Sequence, residues 1–143
     1  MTILDANILI YGYNLDAPEH RSARVWLEAL FAGPETIGIP WLTLWAFLRI
    51  STNARAMRQP LIAGEAFEVI RELLAQQKVA VVEPGSRHAH ILQAVISENR
   101  ISGAMTTDAV LASLALENGA TLASTDRGFA RFKGLRWVNP LEA

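Results

Sequence analysis

The sequence contains no cysteine, and this absence excludes two classes of structure. Without cysteine there can be neither a disulfide framework nor a thiolate metal site, which fits the reducing interior of a cell. No apolar run approaches the roughly 20 residues that a membrane-spanning helix requires, and the first residues lack the basic segment of a signal peptide. We therefore expect a cytoplasmic protein that does not enter a membrane.

Lysine and aspartate are also scarce. Lys78 and Lys133 are the two lysines among 13 cationic residues, and the net charge of −1 argues against a strongly cationic nucleic-acid binder. The other cationic residues are arginines, whose planar guanidinium groups suit phosphate, so a local basic surface is compatible with the composition. The four aspartates are more informative, because Asp5, Asp108 and Asp126 lie where apolar segments meet turns.

Apolar segments of strand and helix length alternate along the chain. The predicted strands are 2–5, 36–40, 79–84, 121–125 and 135–140, and the predicted helices are 17–33, 41–52, 63–77, 86–99 and 106–120. Short strands that are apolar on both faces and alternate with helices are typical of a parallel sheet covered by helices. The length of 143 residues predicts a single domain over residues 1–143. We expect Pro18 at the start of its helix and Ser86 as an N-cap.

Three aspartates are predicted to meet at one edge of this sheet. Asp5 and Asp126 directly follow predicted strands, and Asp108 lies at the start of the helix before the fourth strand. In open α/β sheets, ligands bind outside the carboxyl ends of the strands, where these side chains would converge. Asp108 and Asp126 can also be explained as helix-cap or turn residues. For Asp5, inside the apolar segment ILDANILI, neither a cap nor a solvated face offers such an explanation.

Carboxylates that are brought together indicate a particular chemistry. They repel and raise one another's pKa unless a cation neutralises them. A hard divalent ion such as Mg²⁺ takes oxygen ligands, activates water and stabilises the charge that develops on a phosphoryl group. The residues therefore indicate metal-assisted attack on a phosphodiester, in which Asn7, Ser124 or Thr125 would orient Asp5 or a bound water.

Several segments of the sequence together resemble a known family. They are ILDANILI near the start, AFLRISTN in the middle, and TTDAVLASLALENGATLASTDRGFARF and LRWVNPL near the end. The whole chain resembles PIN domains, and more narrowly the VapC toxins of bacterial VapBC toxin–antitoxin pairs. The resemblance implies a PIN-like three-layer α/β/α domain with a short, mostly parallel central sheet. It also implies a Mg²⁺- or Mn²⁺-dependent endoribonuclease that cuts RNA, is inhibited by a cognate antitoxin and forms a homodimer.

The resemblance also implies roles for individual residues. Asp5 and Asp108 match the metal-binding aspartates of the family. Asp126 matches the later acidic residue that completes the catalytic pocket, and Asn7 matches the polar residue two positions after the first aspartate. The predicted catalytic residues are therefore Asp5, Asp108 and Asp126, and the predicted metal ligands are Asp5 and Asp108.

One position departs from the family pattern. Many PIN domains carry a glutamate in the helix after the second strand, and here Thr43 and Arg49 align while the glutamate position falls on Ala46. No acidic residue occurs from 36 to 64, and Glu65 is the next one along the chain. We therefore expect the metal to be held by fewer protein ligands and more water, unless Glu65 takes the missing place.

Two other functions fit part of the pattern. A phospho-accepting receiver domain would need an adjacent acidic pair near the start, a mid-chain aspartate after a strand and a later lysine, and the sequence lacks this arrangement. A PIN-like module that has lost catalysis with its glutamate would bind RNA or a partner protein without cutting. An assay for RNA cleavage separates this module from the nuclease.

The second predicted helix carries an aromatic group and leads into a basic segment. Core packing is the default explanation for Trp41, Trp45 and Phe47. Because the stretch lacks a polar face, a homodimer surface, a groove for an antitoxin segment and stacking of unpaired RNA bases are the alternatives. Arg49 and Arg127 lie nearest the predicted site, where they would contact an RNA backbone or form ordinary salt bridges.

Overall fold

Five short strands form a parallel sheet in the computed structural model, which describes residues 1–142. The strands are β1 (Thr2–Leu4), β2 (Ile37–Pro40), β3 (Val79–Val82), β4 (Thr121–Ala123) and β5 (Arg136–Val138). The helices are α1 (Ala6–Tyr13), α2 (His20–Ala32), α3 (Trp41–Ser51), α4 (Ala63–Ala75), α5 (His88–Asn99) and α6 (Thr106–Glu117), with 3-10 turns at Gly103–Met105 and Arg127–Arg131. Within this described part of the chain, no helix combines the length and apolarity needed to cross a membrane.

The strand order places β1 at the centre of the sheet. Reading across the sheet, the order is β3-β2-β1-β4-β5, and every neighbouring pair is parallel. Thr2 of β1 lies opposite Ile37 on one side and Thr121 on the other. The chain builds one half of the sheet outwards from β1 and then crosses to the other half. This reversal of strand order creates a crevice at the carboxyl ends of β1 and β4, where open α/β sheets bind ligands.

Two apolar cores cover the two faces of the sheet. Ile3 and Leu4 are both fully buried but enter different cores, because successive strand residues point to opposite faces. Ile3 packs with Leu122 and the apolar residues of α5 and α6. Leu4 packs with Ala123 and the apolar residues of α1, α2, α3 and α4. Helices therefore cover both faces, and the predicted three-layer α/β/α class is confirmed with a sheet that is parallel throughout.

The differences from the predicted elements lie at the starts of two helices. Residues 15–19, which include Pro18, form turns, so α2 begins only at His20. α5 begins later than predicted as well, because a turn precedes it. Its N-cap is Arg87, which makes no side-chain capping bond, so the expectation that Ser86 caps this helix was wrong.

Candidate active site at the carboxyl edge of the sheet

Asp5 lies between the end of β1 and the start of α1. Its backbone N–H donates to the carbonyl of Ala123 (3.0 Å), which extends the pairing of β1 with β4 to the edge of the sheet. Its Oδ1 accepts a hydrogen bond from the N–H of Ala6 (2.7 Å), so Asp5 is the N-cap of α1. The expectation that no cap would explain Asp5 was therefore wrong, because the chain turns into a helix within the apolar segment.

The second carboxylate oxygen of Asp5 is held by side chains from both strand ends. Oδ2 accepts hydrogen bonds from Ser124 Oγ (2.7 Å) and from Asn7 Nδ2 (3.3 Å). Ser124 is fully buried, and its Oγ also accepts from Asn7 Nδ2 (3.1 Å) and from the N–H of Asp126 (3.0 Å). Asn7 Oδ1 accepts from the N–H of Thr125 (3.2 Å). We call Asp5, Asn7 and Ser124 the Asp5 network; in it Ser124 supplies the hydroxyl and Thr125 contributes its backbone.

Asp108 faces the same cleft as Asp5. The cleft has a volume of about 310 Å³, and α3 contributes Trp45, Ala46 and Arg49 to its lining. Asp108 lies in the first turn of α6, but that helix begins without a side-chain capping bond. Asp108 also takes part in none of the ion pairs formed among residues 1–142. The capping explanation therefore does not account for this carboxylate.

Asp126 lies close to both of these carboxylates but caps a turn. Its Oδ1 accepts a hydrogen bond from the N–H of Gly128 (2.8 Å), which makes it the N-cap of the 3-10 turn Arg127–Arg131. It is absent from the residues of the described chain that line the cleft. Its negative charge nevertheless raises the pKa of Asp5 and the pKa of Asp108. The three aspartates are thus electrostatically coupled, with two on the cleft and the third beside it.

Burial and mutual repulsion raise the pKa of both cleft aspartates. Burial is the largest cause of the raised pKa of Asp5, and the hydrogen bonds from Ser124 and a backbone N–H partly offset it. Burial is also the largest cause for the pKa of Asp108, followed by the charges of Asp126 and Asp5, whereas Arg131 lowers it. Ionising either carboxyl therefore costs free energy that a bound cation would offset.

Asp5 and Asp108 are the acidic side chains that line this cleft. Among residues 1–142, no three His, Cys, Asp or Glu side chains gather closely enough to enclose a metal ion. Ala46 occupies the cleft wall where the family resemblance predicts a glutamate, and Glu65 Oε1 is engaged with the N–H of Ile62 (3.0 Å) at the start of α4. A pair of carboxylates fits Mg²⁺, which takes one or two protein carboxylates and fills its other positions with water and substrate phosphate.

The arginines near the site differ in whether their charge is paired. Arg127 forms an ion pair with Glu142. Arg49 lines the cleft and takes part in no ion pair within the part of the chain that the structure describes. Of the two arginines predicted nearest the site, Arg49 can therefore receive a ligand directly, whereas Arg127 is engaged in a salt bridge.

The aromatic group of α3 is divided between the core and the surface. Phe47 is fully buried, as core packing predicts. Trp41 is 37% exposed and Trp45 is 62% exposed, so core packing was the wrong explanation for these two side chains. The segment is apolar nearly all round, and hydropathy alone could not separate its faces. The spacing of Trp41, Trp45 and Arg49 at every fourth residue is the signal that distinguishes this face from that of Phe47.

Comparisons with known proteins find relatives that align along the whole chain. The family model described as PIN domain matches residues 2–135. The chain is 39% identical over 142 residues to VapC ribonuclease Mb2897 of Mycobacterium bovis, an alignment of 99% of this chain and 97% of the relative. It is 36% identical over 141 residues to ribonuclease VapC33 of Mycobacterium tuberculosis, an alignment of 99% of each.

A solved structure shares the same fold. It is the crystal structure of VapBC2 from Rickettsia felis bound to a DNA fragment from its promoter, and one of its chains matches with a TM-score of 0.72. The match covers 96% of this chain and 97% of the other, at 20% sequence identity. At this identity the likeness concerns the fold, and it extends over nearly the full length of both chains.

Proposed function

The chain belongs to the PIN domain family and, within it, to the VapC proteins, and from this premise we propose that it is the ribonuclease toxin of a VapBC toxin–antitoxin pair. One observation carries the proposal: Asp5 and Asp108 share a cleft in a chain that aligns with VapC ribonucleases along its whole length. The cleft lies at the carboxyl edge of the sheet, the edge at which α/β proteins bind their ligands. The substrate is RNA, and the bond that is cut is a phosphodiester.

The proposed reaction depends on a divalent metal ion, Mg²⁺ or Mn²⁺, held by Asp5 and Asp108. The support is electrostatic, because burial and mutual repulsion oppose the ionisation of both carboxyls and a cation favours it. When bound, such an ion lowers the pKa of a water molecule and stabilises charge on the phosphoryl group. Asp126 is the third proposed catalytic residue; capping the turn uses its Oδ1, and Oδ2 is left to orient a water molecule or to bind the ion.

The residues around Asp5 position its carboxylate for this task. Ser124 and Asn7 hold Oδ2, and the N–H of Ala6 holds Oδ1, so the carboxylate has one orientation before any ligand arrives. Partners of this kind typically change metal affinity or activity by about 10- to 100-fold when they are removed. On the opposite wall, Arg49 offers a guanidinium group to an RNA phosphate.

The proposed partners are a cognate antitoxin and a second copy of the chain. Support for the antitoxin comes from the likeness to a chain of a VapBC complex. An antitoxin segment that covers the cleft would keep RNA from Asp5 and Asp108 and thereby switch off cleavage. The homodimer is proposed from the resemblance to VapC toxins.

The experiment that tests the proposed function is cleavage of RNA by the purified full-length chain. We expect cleavage in Mg²⁺ or Mn²⁺, its loss on addition of EDTA, and its recovery when the metal is restored. Asp108→Ala should lose cleavage, whereas Asp16→Ala should keep it, because Asp16 lies exposed in the turn before α2.

Three results would overturn the proposal. The first is cleavage that persists in EDTA, and the second is full activity in Asp108→Ala. The third is RNA binding without cleavage in either metal, which would identify the chain as a PIN-like binding module. Circular dichroism of each variant establishes that a loss of activity is not a loss of fold.

A further inference from the structure

One face of α3 exposes two tryptophans and an arginine in a single row. Trp41, Trp45 and Arg49 follow one another at intervals of four residues, so they lie along one side of the helix. All three are exposed, whereas Leu44 and Phe47 on the other side are fully buried. The two indole rings contact each other, with centroids 6.4 Å apart and planes inclined by 31°. We call these three residues the α3 stripe.

The α3 stripe is continuous with the proposed catalytic cleft. Trp45 and Arg49 line the same cleft as Asp5 and Asp108. The side chain between them on this wall is Ala46, which is small and uncharged. A glutamate at this position would add a negative charge beside any phosphate that enters. With alanine, the path from the carboxylates to the indole ring of Trp45 is open to an anionic ligand.

We propose that Trp45 and Arg49 bind one unpaired nucleotide of the RNA next to the phosphate that is cut, with the base stacked on the Trp45 ring and a phosphate on the Arg49 guanidinium. This inference deepens the proposed ribonuclease function and rests on it. Stacking on aromatic rings is a general way to hold single-stranded RNA, since every base has a π-face. The enzyme would therefore select RNA that is single-stranded at the cleavage site, with little preference for the stacked base.

The chemistry of the α3 stripe favours RNA over a protein partner. A protein seated on it would bury the unpaired Arg49 guanidinium together with the carboxylates of Asp5 and Asp108, and buried charges are costly without well-placed partners. An RNA strand brings a phosphate for Arg49 and a flat apolar base for Trp45. The metal proposed between the carboxylates would bind a neighbouring phosphate of the same strand.

The test is the kinetics of cleavage of a labelled single-stranded oligoribonucleotide in Mg²⁺. We expect Trp45→Ala to lower kcat/KM by about 5- to 150-fold, which corresponds to the roughly 1–3 kcal/mol per stacked base. The loss should fall mainly on KM, and Trp45→Phe should restore most of it. Phe67→Ala is the matched control, because Phe67 is a surface aromatic side chain on α4, 46% exposed, and should leave kcat/KM unchanged.

An abasic scan of the same oligonucleotide identifies the stacked base. Removing the base at one position beside the cleavage site should slow the wild-type chain as much as Trp45→Ala does. The same removal should add little to the effect in Trp45→Ala, because the two changes delete one interaction. Equal kcat/KM for Trp45→Ala and the wild type, or independent effects of the two changes, would overturn the inference.

Two further results would show that the α3 stripe serves a protein partner instead. One is a fall in solution mass of Trp45→Ala with unchanged kcat/KM, which would assign the α3 stripe to a second copy of the chain. The other is a loss of antitoxin binding with unchanged kcat/KM, which would assign it to the antitoxin. A wild-type chain that does not cut RNA at all contradicts the proposed function itself, so the two failures are distinguishable.

Discussion

The two walls of the acidic cleft differ in how their polar side chains are held. On the wall formed by β1 and β4, the Asp5 carboxylate accepts hydrogen bonds from Ala6, Asn7 and Ser124. On the wall formed by α3 and α6, the charges of Arg49 and Asp108 are in no ion pair within residues 1–142. Both walls face the same space, yet only the first is complete without a ligand.

The difference shows how the proposed labour is divided. A buried polar network in which every member is bonded is rigid, so the Asp5 network holds one carboxylate in a fixed place. Charged side chains without protein partners keep their capacity to bind, so the wall of α3 and α6 is suited to receive substrate. If this comparison is right, changes on the first wall affect metal binding and folding, and changes on the second wall affect substrate binding.

The largest effect is expected from Asp5→Asn. The variant keeps an N-cap residue for α1 but loses a negative charge in the proposed metal site, so the cleavage rate should fall by at least about 100-fold, beyond the usual 10- to 100-fold effect of an outer partner. Single-turnover cleavage of an oligoribonucleotide measures the rate. Asp16→Asn is the matched control, and a rate for Asp5→Asn within a few-fold of wild type would contradict the proposed role.

The next largest effect is expected from Ser124→Ala. The change removes the hydroxyl that donates to Asp5 and leaves the buried N–H of Asp126 without its acceptor, which should lower the free energy of unfolding by about 1–3 kcal/mol. Affinity for Mg²⁺ should fall by about 10- to 100-fold. Urea unfolding and metal titration measure the two losses.

Ser113→Ala provides the control for this buried hydroxyl. Ser113 is also fully buried, but its Oγ donates to the Ala109 carbonyl within its own helix. Its removal should cost about 1 kcal/mol or less and leave Mg²⁺ affinity unchanged. Equal effects of the two serine changes on metal affinity would show that the Asp5 network does not position the metal site.

A smaller effect is expected in the pH dependence of stability. Because burial raises the pKa of Asp5 and of Asp108 above 3.8, the folded chain holds these protons more tightly than the unfolded chain. The stability that the two carboxyls contribute is complete at pH values near 3.8 and is lost as the pH rises through their raised values. At neutral pH without metal, Asp108→Asn should therefore melt at a higher temperature than the wild type.

Divalent metal should reverse this order. Mg²⁺ should raise the Tm of the wild type at neutral pH, and the increase should shrink as the pH falls and the carboxyls are protonated. Thermal melts with Mg²⁺ and with EDTA over a pH series measure both effects. A Tm of Asp108→Asn that lies below the wild type in EDTA, or a Tm increase that does not depend on pH, would contradict the expected coupling.

The smallest effect is expected from Ala46→Glu. The added carboxylate lies on the same cleft as Asp5 and Asp108, so it should increase Mg²⁺ affinity by a few-fold and raise the KM for RNA, because it repels the phosphate. Ala46→Gln has the same size without the charge and should do neither. A Gln variant that matches the Glu variant would show that space, not charge, governs this position.

The sequence was sufficient to predict much of the fold for a simple reason. Segments such as 36–40 and 121–125 are short and apolar on both faces, which is a pattern that a parallel sheet between two helical layers requires. It was not sufficient to predict that Asp5 caps α1, because the helix begins inside an apolar run with no separate start signal. It was also not sufficient to predict the exposure of Trp45, because that depends on which side of α3 the sheet covers.

The sequence by itself determined that Asp5, Asp108 and Asp126 would gather at the carboxyl edge of an α/β sheet, since chain direction and strand alternation leave no other edge for them. Only the tertiary structure decided that Asp5 and Asp108 face the cleft while Asp126 caps a turn beside it. The physical reason is that the direction of a side chain depends on the local backbone turn and on its hydrogen-bond partners. For Asp5 one of these partners is Ser124, which is distant in sequence and meets Asp5 only when β1 and β4 pair.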